Sequence, residues 1–564
     1  MKANFFKNVD KGELITKLII SAILGLTVGF VLFYVFLPPL NLQSVGFWVY
    51  LFVVLLAFLF PFLGIKLDHF TVTVKTGVTR KTRSQSELNL NKKFLIPLLV
   101  PIAVIAVGLI ISSEVFNARS YASIISIEES DFATDMPKTD MSEITNIALM
   151  DTSSATKLGN KTLGSLSEVV SQYTVSESYT QINYKNKPKK VANLEYADFF
   201  KWFGNRSSGI PGMVMVDPVK SSAEYIEFED PMYYAESGYF GDDLMRKLRF
   251  LYPTKIFDSV SFEIDDNGKP YYVVSCVTPQ VLLFGASDVT EVIIFDPCTG
   301  EGEIMPVNEA PSWIDIVYTG YLATDKYNWH GMLSGGFINS IFGNVGCKVA
   351  TDDFGYIAMD DDVWYFTGVT SAVSDDKSNI GFILSNARTG EYKFYPVIGA
   401  EEHSAMSAAE GEVQEKGYVA SFPSLVNISG QATYIMVLKD DAGLVKLYAL
   451  VNVENYSIVA TGSTQTEAIN AYTKLLRQSN INIDIGSEKL EITVEDVRIL
   501  PVSGVTTVYI TATNGNVYKG YLEADERLIL VKVGDKLSIE YASGEIEGIF
   551  TLTSWDFDKD EETE

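Results

Sequence analysis

Three long apolar runs crowd the first fifth of the chain, at residues 18–37, 45–65 and 94–111, and none contains a charged side chain. At about 1.5 Å of helical rise per residue, 18 to 20 residues cover roughly 27–30 Å, the thickness of a bilayer's hydrocarbon core. The pattern therefore predicts three membrane helices. The first run ends at Pro38-Pro39 and is longer than the apolar core of a cleaved signal peptide, so it reads as a retained helix. Pro97 and Pro101 fall in the first two turns of the third run, where a missing N–H is most easily accommodated.

Beyond residue 111 the period changes. Residues 112–193 are rich in Ser, Thr and Asn and only weakly periodic, with a helix expected near 142–149, and they read as a stalk leading into the body. Phe199, Phe200, Trp202 and Phe203 follow on helical spacing, a pattern that predicts core packing. Then short apolar strands recur in pairs around a turn opened by Asp or Asn: 213–216 with 223–228 around Asp217, 292–295 with 303–307 around Asp296, 381–384 with 392–397 around Asn386, and 446–450 with 456–460 around Asn452. Asp or Asn opening such a turn between apolar runs is hairpin chemistry. Each later hairpin has an upstream strand, at 262–275, 363–368 and 434–438. A small sheet needs a cover, and the candidates are helices at 242–251, after His403, and at 464–476, where Thr464 and Glu467 form a capping box. The fold class expected for 194–478 is α+β, as stacked meander and helix units. Residues 490–555 show four alternating runs linked by turns such as Asn514-Gly515, which predicts a small closed barrel of OB or SH3 type. The acidic tail 556–564 reads as disordered.

The strand pairs closing on a Thr-Gly-Glu turn, residues 271–275 with 296–301 and 363–367 with 386–391, resemble the PepSY family. That resemblance implies small extracytoplasmic α+β modules, some of which restrain proteases. The first and last units lack the Thr-Gly-Glu. As a whole the chain resembles uncharacterised multi-pass membrane proteins of Gram-positive bacteria, a likeness that implies no activity.

Charge adds sidedness. The loop 66–93 carries Lys66, Lys75, Arg80, Lys81, Arg83, Lys92 and Lys93 against Asp68 and Glu87, and Lys2, Lys7, Lys11 and Lys17 precede or begin the first run. Basic loops stay in the cytoplasm, so the N-terminus is expected inside and everything after residue 111 outside. That remainder holds 33 Lys and Arg against 67 Asp and Glu. An acidic body repels phosphate backbones, which argues against a nucleic-acid partner. The expected partners are the lipid bilayer and a protein or cell-envelope component.

Chemistry is sparse. Cys276, Cys298 and Cys347 match no metal pattern, and buried inert thiols or a single disulfide are the two readings for them. Three histidines in the chain leave no room for a multi-histidine metal site. Glu401-Glu402-His403-Ser404 gathers acid, base and hydroxyl, but adjacency puts such groups on different helix faces. Asp352, Asp353, Asp360, Asp361 and Asp362 are calcium candidates without the spaced-ligand loop that calcium takes; acidic hairpin turns are the plainer reading. Asn328-Trp329-His330 suits either sugar stacking or packing. No Gly-rich phosphate loop, zinc spacing or nucleophile elbow is present, and no cofactor is expected. The reading is a membrane-anchored extracytoplasmic binding or scaffold protein; the alternative is an envelope hydrolase pairing distant acids such as Asp361 and Glu402, with His403 beside them.

Overall fold

The computed structural model describes residues 11–62, 96–137, 149–351, 353–359, 362–372, 378–428, 430–479, 488–502, 505–522, 525–543 and 548–557. Near the N-terminus, Leu14–Phe36 and Val45–Phe62 form two helices long and apolar enough to cross a membrane. The third apolar run gives Ile96–Ile111, which breaks and continues as Glu114–Ala122 at 56°. The basic loop 66–93 lies outside the described residues, as does most of the helix expected near 142–149.

The rest is a large sheet-rich α+β body. Its first sheet takes strands Tyr173–Val175, Thr180–Asn183, Pro188–Tyr196, Ile210–Asp217 and Ser222–Met232. This sheet runs across residue 194, so the boundary expected there falls inside a sheet. The preceding polar stretch is integral too: Ile127–Glu129 pairs in parallel with Tyr392–Tyr395, and helix Thr152–Gly164, capped by Asp151, lays Ala155 and Leu163 on the first sheet. Its contact face mixes Ala155 and Gly159 with Leu163, so a hydrophobicity pattern registers it only weakly.

The second sheet is a four-strand meander, Ile256–Ile264, Pro270–Val281, Gly285–Asp296 and Glu301–Pro306. The third is built on Gly355–Met359, Asp362–Ser371, Gly381–Asn386 and Tyr392–Tyr395, and the fourth on Ser424–Ile428, Gln431–Lys439, Val445–Asn452 and Val459–Gly462. In all four, the outer hairpin opens on an Asp or Asn whose side-chain oxygen accepts a main-chain N–H: Asp217 from Val219 and Lys220, Asp296 from Cys298 and Thr299, Asn386 from Arg388 and Thr389, and Asn452 from Asn455. The side chain mimics a backbone turn and sets the hairpin register.

The sheets pack face to face in a ring. First and second share a core through Val214, Phe262, Tyr272 and Phe295. Residues 314–333, including helix Gly320–Leu333, fill the space between second and third. Third meets fourth through Phe366, Phe382, Tyr434 and Met436, with Ala405 and Ala409 of helix Glu402–Glu412 alongside. The ring closes where Lys439 of the fourth sheet donates to Ser154 Oγ, 2.8 Å, and Lys157 to the Ala442 carbonyl, 3.1 Å, on the helix that covers the first. Helix Gln465–Gln478 covers the fourth sheet's other face with Ala468, Ile469, Tyr472 and Leu476.

Strands Glu488–Val502, Val505–Ala512, Val517–Tyr521, Lys536–Ser543 and Ile549–Phe557 form the last unit, their ladders running in a ring around a core of its own that includes Val508, Tyr518, Leu537 and Ile539. The last strand continues to Phe557, two residues past the expected end.

Candidate functional site

A cleft of about 240 Å³ opens where residues 124–128, the second sheet, helix Gly320–Leu333 and the third sheet's outer turn meet. At its base lies Lys326, buried on the inner face of that helix. Its ammonium sits 2.6 Å from Asp288 Oδ1 and 4.8 Å from the centre of the Tyr318 ring. Tyr392, whose hydroxyl donates to the Ala323 carbonyl at 3.1 Å, closes the other side. Burial raises the ionisation of Tyr318 and Tyr392 far beyond neutral pH, so both stay phenols. Glu128 and Glu391 stand exposed at the rim. Three carboxylates then face one ammonium that is already paired. The residual charge is negative, which suits a cationic group entering from outside.

A second cluster is sealed at the junction of the first three sheets. Glu263 is fully buried and accepts N–H donors from Asp315 at 2.8 Å and Ile316 at 3.2 Å, plus the Ser261 hydroxyl at 2.8 Å. Asp315 in turn accepts from Asn183 N at 2.8 Å. Burial outweighs these bonds and pushes the Glu263 carboxyl up to about 7. Nearby, burial brings the Lys190 ammonium down to about 8, and it lies 5.5 Å from the Tyr356 ring centre. Glu263, Asp315 and Lys190 are buried where the three sheets meet, and they serve as a joint between them.

The sequence candidates scatter. Asp352, Asp360 and Asp361 lie outside the described residues. Asp353 is exposed and accepts the N–H of Phe354. Asp362 is buried and holds Arg388 in a two-pronged pair, Nε to Oδ1 at 2.7 Å and Nη2 to Oδ2 at 2.8 Å, with Asn386 donating as well at 2.8 Å. Asp353 and Asp362 thus mark opposite ends of one hairpin, and Asp362 is committed to an arginine. Glu402 is buried, accepting Gly368 N at 2.6 Å and Thr351 Oγ1 at 3.0 Å, and burial raises its carboxyl. Gly368 is six residues along the strand from Asp362, roughly 20 Å at about 3.3 Å per residue. The acid beside Asp361 is therefore far from Glu402. His403 turns to Phe422, and Glu401 caps the helix through Ser404 N.

Asn328, Trp329 and His330 belong to a packed helix. Asn328 accepts Ala350 N, Trp329 meets Tyr121 edge-on at 5.3 Å, and His330 Nδ1 donates to the Ala122 carbonyl at 2.8 Å. The three thiols are unpaired, with Cys276 and Cys298 pushed up to about 12 by burial. Among the described residues no three metal-ligating side chains converge. Lys326, Glu263 and Asp315 escaped sequence reading, although a lone acid inside an apolar run, as in Phe262-Glu263-Ile264 and Ile314-Asp315-Ile316, is a usable signal for a buried polar joint.

No family model matches the chain, and no curated protein matches it. Among solved structures, an ancestral GH74 enzyme overlaps 62% of this chain and 42% of its own at 10% identity and a TM-score of 0.15. A mutant Synechocystis apocarotenoid oxygenase overlaps 52% of each chain at 7% identity and a TM-score of 0.13. Overlaps this loose carry no argument about fold or chemistry.

Proposed function

We propose that the protein is a membrane-anchored extracytoplasmic binding or scaffold module whose cleft takes a cationic group of a protein or envelope component. The observation that supports this most is the cleft's charge, with Glu128, Asp288 and Glu391 around one paired Lys326. The surplus of acids in the whole body points the same way. On this reading the bent third apolar helix completes a third crossing, the basic loop stays inside, and the body faces outward. The meander-and-helix units are PepSY-like modules, one use of which is holding a peptidase, and the C-terminal ring of strands is a docking barrel of OB or SH3 type. A decalysine peptide titrated calorimetrically into the full-length protein in nanodiscs tests the cleft. Glu128→Gln with Glu391→Gln is expected to weaken binding several-fold at constant salt. Unchanged affinity in that variant, together with hydrolysis of peptide or glycan by the purified protein, would sink the proposal.

A further inference from the structure

Phe200 is 80% exposed and Phe342 is 82% exposed, on two separate prongs of the body. Core packing was the sequence expectation for residues 199–203, but only Trp202 is buried. The others stand out from a short helix, Phe199–Asn205, whose first turn is held by Asp198. Large apolar side chains gathered in one surface patch are rare on soluble proteins and mark a partner surface.

The position of both prongs identifies that partner. The first prong adjoins the end of the first apolar helix. There Arg246 donates from Nε to the Tyr34 carbonyl at 3.2 Å and lies 4.4 Å over the Tyr34 ring, while Arg249 Nε donates to the Leu37 carbonyl at 2.9 Å. Arg246 Nη1 also reaches the Phe240 carbonyl at 2.6 Å, and the exposed Phe240 ring is 5.8 Å from Trp202. Tyr239 and Phe199 meet at 5.0 Å, which brings the prong within two side chains of Tyr34. Phe250, half exposed, meets Phe33 edge-on at 5.3 Å.

The second prong adjoins the end of the third apolar helix. Ser112 Oγ accepts from Leu283 N at 3.1 Å and Phe284 N at 3.2 Å, and Phe116 is exposed one turn later. Tyr121, on that same short helix, shares a cluster with Trp329 and Phe337, beyond which Ile338, Ile341, Phe342 and Val345 project.

We infer that these two prongs seat the body in the headgroup and acyl boundary of the leaflet it faces. Each prong connects by the contacts above to the end of an apolar helix, so it continues the surface those helices already give to lipid. Aromatic rings suit this depth, since they place an apolar body against the acyl chains and tolerate water at the edge. Arg206, 5.1 Å over Phe203, supplies a cation for lipid phosphate in a body that carries a net surplus of acids.

The inference rests on reading the N-terminal helices as membrane spans, and the test separates the two. In full-length protein with Cys276, Cys298 and Cys347 replaced by Ser, single nitroxides are placed at Val31→Cys, Phe200→Cys, Phe342→Cys and Tyr456→Cys. Tyr456 is an exposed control on the fourth sheet's outer turn. In phosphatidylcholine–phosphatidylglycerol vesicles, collisions with oxygen should dominate at 31, 200 and 342, and collisions with a water-soluble nickel chelate at 456. Oxygen at 31 with nickel at 200 and 342 overturns the seat and leaves the spans intact. Nickel at all four removes the spans as well. Spin–spin broadening at 200 or 342 that vanishes on dilution with unlabelled protein would put a second copy there instead of lipid, and it too overturns the seat.

Discussion

Burial of Glu263 ties its protonation to folding. Its folded value near 7 stands above the 4.5 of a free carboxyl, so the folded state holds the proton longer than the unfolded chain does. The sign follows: stability falls as pH rises from about 4.5 to about 7, because over that window the unfolded state binds fewer protons. Glu263→Gln keeps one of the two acceptor oxygens that the main-chain donors use and has no charge to bury. Its melting temperature is therefore expected to be flatter than the wild type's between pH 5 and pH 7, and parallel curves would discard the argument. Single residues were unevenly legible in the sequence. Asp217, Asp296, Asn386 and Asn452 could be read because the turn chemistry is local. Glu263 carried a signal as a lone acid in an apolar run, but its partners could not be read, because the donors at 315 and 316 are some fifty residues away. Phe200 misled for a related reason: helical spacing shows that side chains share a face but not what covers it.

At the scale of elements, helix Gly320–Leu333 shows why two glycines in similar settings differ. A methyl on Gly331 would overlap the Lys348 carbonyl, a main-chain atom that cannot step aside, whereas one on Gly411, near the end of helix Glu402–Glu412, would meet nothing within 4 Å. Overpacking costs about 1–3 kcal/mol, and the better helix propensity of Ala returns about 1. Gly331→Ala is thus expected to destabilise by up to about 2 kcal/mol in urea unfolding, and Gly411→Ala to stabilise by about 0.5. Equal effects would show that the close approach to strand Lys348–Ala350 is not limiting. The hairpins were legible because period-2 runs flanked a turn signal. Helix Thr152–Gly164 and strand Ile127–Glu129 were not. One packs partly through the small residues Ala155 and Gly159, and the other is a three-residue strand whose partner lies more than 260 positions away.

For the whole molecule, the apolar helices were legible and the ring was not, since closure depends on contacts such as Lys157 with Ala442 that no local pattern encodes. Sidedness rests on charge and is directly measurable. With Ser84→Cys or Tyr456→Cys in a background lacking the native cysteines, an impermeant maleimide on intact cells should label 456 and spare 84; the reverse would invert the protein. The seam between the helices and the body has one further property. Arg246 and Arg249 donate to the carbonyls of Tyr34 and Leu37, Leu40 N donates to the Pro253 carbonyl at 2.7 Å, and Asn41 Nδ2 to the Thr254 carbonyl at 2.9 Å. Every one of these bonds ends on main chain on at least one side, and in the first two the hairpin offers nothing but carbonyls. The grip therefore constrains how the first helix ends, and of the side chains there it engages chiefly Phe33, Tyr34 and Asn41. A hairpin of different apolar composition that kept this terminal turn, the two rings and the amide would present the same handle to the body.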